Sequence, residues 1–120
     1  MALTTTPQPT PLAAVLAVQT SATAAPDLNI TGASGSWFMV DIDNTANAAV
    51  TYVKIYDDAA PTVGTTEPDW VLRADATKRV VYAVSTSVAF AAMSFAAVTT
   101  PGRAGTTSPV SAVPVRVMAT

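Results

Sequence analysis

The residue types that usually carry enzyme chemistry are scarce in this chain. Its 120 residues contain no His and no Cys, and only six basic and eight acidic side chains. The chain therefore lacks an imidazole proton shuttle, a thiol nucleophile, disulfides and the usual nitrogen and sulfur ligands of zinc. Any chemistry would have to come from carboxylates, hydroxyl groups or lysine.

Carboxylates are concentrated in the segment V-D-I-D-N, which contains Asp41, Asp43 and Asn44. Asp57 and Asp58 follow the next apolar segment and could add oxygen ligands for calcium. A calcium loop usually brings more carboxylates and a glycine turn at fixed spacing, and this spacing is missing. A glycosidase pair would need one carboxyl with a raised pKa, which nothing in the sequence indicates. We interpret the segment as a solvated strand end with turn-forming Asx residues and predict no metal site.

Hydroxyl groups are abundant but lack a partner that could activate them. Neither Lys54 nor Lys78 stands in a Ser-x-x-Lys spacing, and no His is available as a base. The five glycines are isolated from one another, so no phosphate-binding loop is recognisable. We therefore predict a protein that is not an enzyme and that has no cofactor.

Charge and hydropathy exclude two further classes of partner. The net charge is −2 and the basic residues are scattered, which argues against nucleic-acid binding. No apolar segment reaches the ~18–20 residues of a membrane-spanning helix. The apolar run at 12–18 could belong to a signal peptide, but no Lys or Arg precedes it, and we favour a strand.

The N-terminal segment contains Pro7, Pro9 and Pro11, whose alternation forbids a helix. We expect residues 1–26 to form an extended arm, held either by a neighbouring subunit or by an edge of its own domain. Large aromatic residues could stack on a sugar, but in a small β-domain they more often anchor the core or a subunit interface. The residues that we expect to make interactions are Leu3, Pro7, Pro9, Pro11, Leu12, Trp37, Tyr52, Tyr56 and Trp70.

The rest of the chain is typical of an all-β protein. Short apolar segments rich in Val and Thr alternate with loops that contain Pro and Gly, and no long helical pattern is present. We predict one domain over residues 27–120, an antiparallel β-sandwich or barrel of six to eight short strands. Strand signals, more than the predicted number of strands, lie at residues 12–18, 28–31, 36–43, 50–57, 70–74, 78–84, 88–90, 93–99 and 113–118.

The alternation of side chains predicts the faces of the central strands. In 36–43 the apolar set Phe38, Val40 and Ile42 should face the core. The neighbouring segment 50–57 should pair with it as a hairpin and turn Lys54 and its flanking tyrosines outward. Pro114 lies inside the last predicted strand and should confine this strand to an edge of its sheet.

About half of the chain, roughly residues 45–110, resembles small structural proteins encoded among the virion genes of tailed phages. The resemblance begins with an aromatic-x-Lys-hydrophobic-Tyr segment at 52–56 and continues with A-P-T-V-G-T-x-x-P at 60–68. It then includes the apolar strand 70–72, V-A-F at 88–90 and A-V-T at 97–99. The family often carries glycines before V-A-F, where this chain has Ser85, Thr86 and Ser87.

The resemblance implies a virion component and transfers no catalytic residue. We expect a capsid cement, or decoration, protein that binds the major capsid protein on the capsid surface and stabilises the head. Such proteins commonly form closed cyclic oligomers, and a homotrimer is favoured. Two alternatives remain open: a tail, baseplate or head–tail connector component, or a glycan-binding adhesion module.

Overall fold

The structure, a computed structural model, describes residues 15–120 and is all-β. Within this range seven strands form two antiparallel sheets, and no segment is helical. The strands are β1 (Val15–Gln19), β2 (Gly35–Asp43), β3 (Thr51–Asp57), β4 (Trp70–Ala74), β5 (Arg79–Phe90), β6 (Met93–Val98) and β7 (Val115–Ala119). The predicted fold class and strand number are confirmed.

The two sheets pack face to face around one hydrophobic core. Sheet A has the strand order β1-β7-β2-β5, and sheet B has the order β4-β3-β6. The core consists mainly of short aliphatic side chains on the inner faces, which suit the shallow space between two sheets. Val40, Ile42, Val53, Val113 and Val115 are completely buried there.

The predicted hairpin between 36–43 and 50–57 is wrong, because β2 and β3 belong to different sheets. The connection crosses the end of the sandwich and is held by the buried side chain of Asn44. Its Nδ2 donates to the carbonyls of Ala49 and Ala74 at 2.9 and 3.2 Å, and its Oδ1 accepts from Thr51 Oγ1 at 2.8 Å. Asn44 therefore provides the polar contacts that a hairpin ladder would otherwise supply.

The inner face of β2 also differs from strict alternation. A register shift between Trp37 and Met39 interrupts the pairing of β2 with both of its neighbours. Such a bulge adds one residue and reverses the side-chain alternation before it. Trp37 therefore joins Val40 and Ile42 in the core, whereas Phe38, which we predicted in that set, is half-buried.

Three strand predictions need correction. Residues 28–31 form turns, with one isolated bridge between Asp27 and Phe95 nearby. The segments 78–84 and 88–90 form the single strand β5. The last strand is internal, because Pro114 precedes β7 and β7 pairs with β1 and β2.

The N-terminal boundary of the sandwich also lies earlier than predicted. β1 pairs with β7 along its whole length, and Ala22 is buried and donates its N–H to the Val113 carbonyl at 3.0 Å. Residues 15–26 are therefore part of the sandwich rather than of an arm. The remaining part of the predicted arm lies outside the described residues, as do Leu3, Pro7, Pro9, Pro11 and Leu12.

Candidate interaction surfaces

The centre of the outer face of sheet B is covered by the chain itself, while Val71 and Arg73 of β4 on this face are exposed. Lys54 lies on the outer face of β3, as predicted, but it is completely buried there. Its Nζ donates to the carbonyls of Gly102 at 2.6 Å, Gly105 at 2.9 Å and Arg103 at 3.4 Å. The ammonium group thus uses its donors on the loop between β6 and β7 and fastens that loop over the sheet.

Local sequence explains how the loop approaches so closely. A side chain at Gly105 would overlap Thr100, so only glycine allows the loop to fold back here. Arg103 reaches Glu67 at 3.7 Å and links this loop to the β3–β4 loop. Burial lowers the pKa of Lys54, and the negative charge of Glu67 partly offsets this effect.

Tyr56 lies two residues further along the same face and is also completely buried. Its hydroxyl group has no hydrogen-bond partner among the described residues. Burial raises the pKa of this phenol, and the nearby Glu67 raises it further. Tyr56 therefore acts as a packed aromatic residue and not as a surface anchor.

The β6 edge of sheet B is covered as well. Asp27 exchanges backbone hydrogen bonds with Phe95 at 2.9 and 3.1 Å, and the Ile30 N–H donates to the Met93 carbonyl at 2.8 Å. The Ala97 N–H donates to the carbonyl of Thr23 at 2.9 Å, and all six residues of β6 are buried. The β1–β2 connection therefore occupies the pairing positions of this edge.

The outer face of sheet A has no comparable cover among residues 15–120. One cross-strand row runs Leu16, Met118, Met39 and Ala83, and the next runs Val18, Arg116, Asp41 and Val81. Leu16, Val18 and Val81 are 59%, 52% and 51% exposed. Six of the eight side chains in these two rows are apolar, and each of the six is at least partly exposed.

Four charged side chains lie on this face, where Asp41, Asp43, Arg79 and Arg116 line one small pocket. Asp41 is buried and accepts two hydrogen bonds from the Arg79 guanidinium group. The bonds to Asp41 raise the pKa of Arg79. Arg116 forms no ion pair with any residue of the described range.

Two tryptophans meet at the end of the sandwich where β2 begins. Trp37 is buried and Trp70 is 47% exposed, and their rings pack edge to face with centroids 6.3 Å apart. Asp57 and Asp69 border the same small pocket. Asp57 Oδ1 accepts the N–H groups of Ala91 and Ala92 at 2.7 and 3.0 Å, so it holds the β5–β6 turn.

The aromatic residues that we singled out do not share one surface. Trp70 pairs with Ile55 and therefore projects from the inner side of sheet B. Tyr52 pairs with Arg73 on the outer side of the same sheet and is half-buried. Of the four aromatic candidates, only Tyr52 and Trp70 offer surface to a partner, and they lie on opposite faces.

The carboxylates of the V-D-I-D-N segment are bound to neighbouring groups. Asp43 accepts hydrogen bonds from the hydroxyl and N–H of Thr45, which lower its pKa. Across residues 15–120, no three His, Cys, Asp or Glu side chains come together as a potential metal site. Over the same residues no helix has the length and hydrophobicity needed to cross a membrane.

Sequence reasoning missed two features of these surfaces. The apolar residues Leu16 and Val18 could have been identified as one face of a strand, since they alternate with Ala17. The burial of Lys54 had no local signal, because the carbonyls that bind it come from residues about 50 positions away.

Comparison of the chain with protein-family models, with curated proteins and with solved structures gives no match in any of the three.

Proposed function

We propose that this chain is a non-enzymatic structural protein that binds other proteins through the outer face of sheet A. In its most specific form, the proposal is that the chain is a capsid cement protein of a tailed phage, bound to the major capsid protein on the virion surface. The observation that carries the protein-binding role is the open apolar face that includes Leu16, Val18 and Val81. Apolar surface of this kind is typical of interfaces.

Hydrogen bonds from three polar side chains to the backbone support a structural role. The buried Lys54 and Asn44 and the exposed Asp57 each bind backbone atoms of the chain itself. Their donors and acceptors stabilise loops and connections between strands. This arrangement favours a rigid scaffold over a reactive site.

The virion assignment depends on the resemblance of residues 45–110 and on the low charge of the chain. A shell component makes many repeated contacts, and their combined avidity can be high although each contact is weak. With only 12% charged residues, such contacts would be mainly apolar. We therefore expect attachment to particles to change little between low and moderate salt.

The experiment that tests this role is quantification of the chain in purified virions and in separated heads and tails. A cement protein is expected in heads at a copy number comparable to that of the major capsid protein. A few copies that purify with tails would instead indicate the tail, baseplate or connector alternative. Absence from the particle would refute both.

A glycan-binding role has one observation in its favour, the half-exposed ring of Trp70. A stacking platform normally uses several aromatic rings on one face, and Tyr52 lies on the opposite side of sheet B. Quenching of tryptophan fluorescence by added oligosaccharides would support this role. We expect no such quenching.

The sequence-based expectation of a homotrimer remains a prediction.

A further inference from the structure

The pocket beside the two tryptophans has the features of a binding site for a cation. Trp70 is 47% exposed, and its ring packs edge to face against the buried Trp37 with the ring centroids 6.3 Å apart. Both tryptophans line a pocket that Asp57 and Asp69 also border. The face of an indole ring carries partial negative charge and attracts ammonium and guanidinium groups. Aromatic rings and carboxylates therefore meet in one pocket, and both favour a positively charged ligand.

Backbone N–H groups hold the two carboxylates in place at the pocket. Asp57 Oδ1 accepts from the N–H groups of Ala91 and Ala92 at 2.7 and 3.0 Å, and Asp69 Oδ2 accepts from the Asp57 N–H at 2.7 Å. The second oxygen of each carboxylate forms no hydrogen bond with any residue of 15–120. Each carboxylate can therefore accept from a ligand without losing its contact to the backbone. Little conformational entropy is lost when a ligand binds groups that are already fixed.

The chain itself supplies no cationic side chain to these two carboxylates. The ion pairs of residues 15–120 join Arg73 to Asp75, Arg79 to Asp41 and Arg103 to Glu67. None of them includes Asp57 or Asp69. Residues 1–14 contain no Lys or Arg, so their side chains cannot supply the charge either. A cationic side chain for this pocket has to come from another molecule.

The size of the pocket points to the end of a single side chain as the ligand. Its volume is about 80 Å³, whereas pockets for small molecules usually measure ~300–1,000 Å³. The planar guanidinium group of arginine can lie on an indole ring and direct its donors to two carboxylates, and it is less strongly hydrated than the ammonium group of lysine. Arginine is also the cation found more often on aromatic rings.

We propose that this pocket binds an arginine side chain of a partner protein. The guanidinium group lies against the exposed ring of Trp70 and donates hydrogen bonds to Asp57 and Asp69. The pocket lies at the end of the sandwich where β2 begins, apart from the apolar rows on the outer face of sheet A. The inference goes beyond the proposed function and does not depend on it.

The first test adds N-acetyl-argininamide, which resembles an arginine residue inside a chain, to the full chain. The chain contains only two tryptophans, so Trp70→Phe assigns their two indole N–H signals in NMR spectra. We expect a saturable shift of the Trp70 signal. The matched ligand is N-acetyl-citrullinamide, which has nearly the same shape but no charge. It should bind at least about tenfold more weakly, because the charge-assisted hydrogen bonds are lost.

The second test removes the charges of the two carboxylates. Asparagine keeps an acceptor for the backbone N–H groups, so the Asp57→Asn, Asp69→Asn double variant should fold. Its Kd for N-acetyl-argininamide should rise at least about tenfold. Asp58→Asn is the matched control, because Asp58 is exposed, accepts the Ala60 N–H at 2.8 Å and does not border the pocket. This control should change the Kd by less than about twofold.

Three results would overturn the proposal. One is a Trp70 signal that does not shift, or that shifts without saturation, up to the highest concentration of N-acetyl-argininamide. Another is equal affinity for the arginine and citrulline ligands. The third is equal weakening by the double variant and by Asp58→Asn, which would indicate a general attraction to a negatively charged chain. Circular dichroism identifies a misfolded variant, and the comparison of the two ligands on the natural chain then decides the result.

Discussion

The outer faces of the two sheets differ in how much of each is covered by the rest of the chain. The outer face of sheet B is partly covered, because loops of the chain bury Lys54 and the adjacent Tyr56, while Val71 and Arg73 of β4 stay exposed. The outer face of sheet A presents apolar residues such as Leu16 and Val18. Within residues 15–120, the chain therefore covers the centre of sheet B and leaves the outer face of sheet A uncovered.

The difference arises from contacts that are distant in sequence. Both sheets contain strands whose side chains alternate between inner and outer faces. In sheet B, three carbonyls of residues 102–105 surround a single ammonium group on β3. Within residues 15–120, no loop is fastened over sheet A by an equivalent polar side chain. Substitution of the residues that make these contacts therefore tests the difference between the two outer faces.

The largest expected effect is that of Lys54→Met. The side chain of methionine fills similar space but leaves the carbonyls of Gly102 and Gly105 without their donor. Loss of a buried, charge-assisted contact of this kind costs about 3 kcal/mol. We expect the free energy of unfolding, measured by urea titration, to fall by this amount. Amide exchange in residues 99–109 should become faster.

Lys78→Met is the matched control, since Lys78 is exposed. It should change the free energy of unfolding by less than about 0.5 kcal/mol. If both variants are equally stable, the contacts of Lys54 with the carbonyls do not hold the loop over sheet B.

The next largest effect is expected for Asn44→Ala in the connection between the sheets. The substitution removes the bonds to Ala49 and Ala74 and leaves Thr51 Oγ1 without its acceptor. We expect the free energy of unfolding to fall by about 2 kcal/mol. The exposed Thr45→Ala in the same turn serves as the control, and an equal loss in both variants would contradict the role of Asn44.

Tyr56→Phe should have a smaller effect and the opposite sign. The Tyr56 hydroxyl is buried without a partner among the described residues, so removing it relieves a desolvation cost. We expect the free energy of unfolding to stay the same or to rise by up to about 1 kcal/mol. A clear loss of stability would show that the hydroxyl has a partner.

The same residue predicts an alkaline pH dependence. Burial raises the pKa of Tyr56 in the folded state above its ordinary value of 10.0. Above pH 10 the unfolded chain therefore loses this proton first, and stability falls as the pH rises toward the folded-state pKa. Urea titrations above pH 10 should show this fall in the natural chain and a weaker one in Tyr56→Phe.

The smallest effect on stability is expected for lysine substitutions on the open face. Val18→Lys and Val81→Lys place a charge at positions that are about half exposed. In the monomer each should change the free energy of unfolding by less than about 0.5 kcal/mol. A large loss in either variant would show that the face of sheet A is less open than described.

Local pattern was sufficient to predict the fold class and most strands. Alternation of side chains identified β2 and β3, and prolines and glycines marked the loops. Pairing was harder to predict, because the buried Asn44 replaces a hairpin and Pro114 lies just before β7 rather than inside it. The cover over Lys54 could not be read from its neighbours, since it depends on residues about 50 positions away.

The central claim is that the outer face of sheet A binds partners. Methionine oxidation tests this claim most directly. Met39 and Met118 lie half-buried on the outer face of sheet A, whereas Met93 is completely buried in the core. Peroxide oxidises accessible methionines, and mass spectrometry can follow each residue in the free chain and in purified virions. We predict that Met39 and Met118 react in the free chain and are protected on the virion, while Met93 stays unreactive in both. Equal oxidation of Met39 and Met118 in the two states would contradict the account.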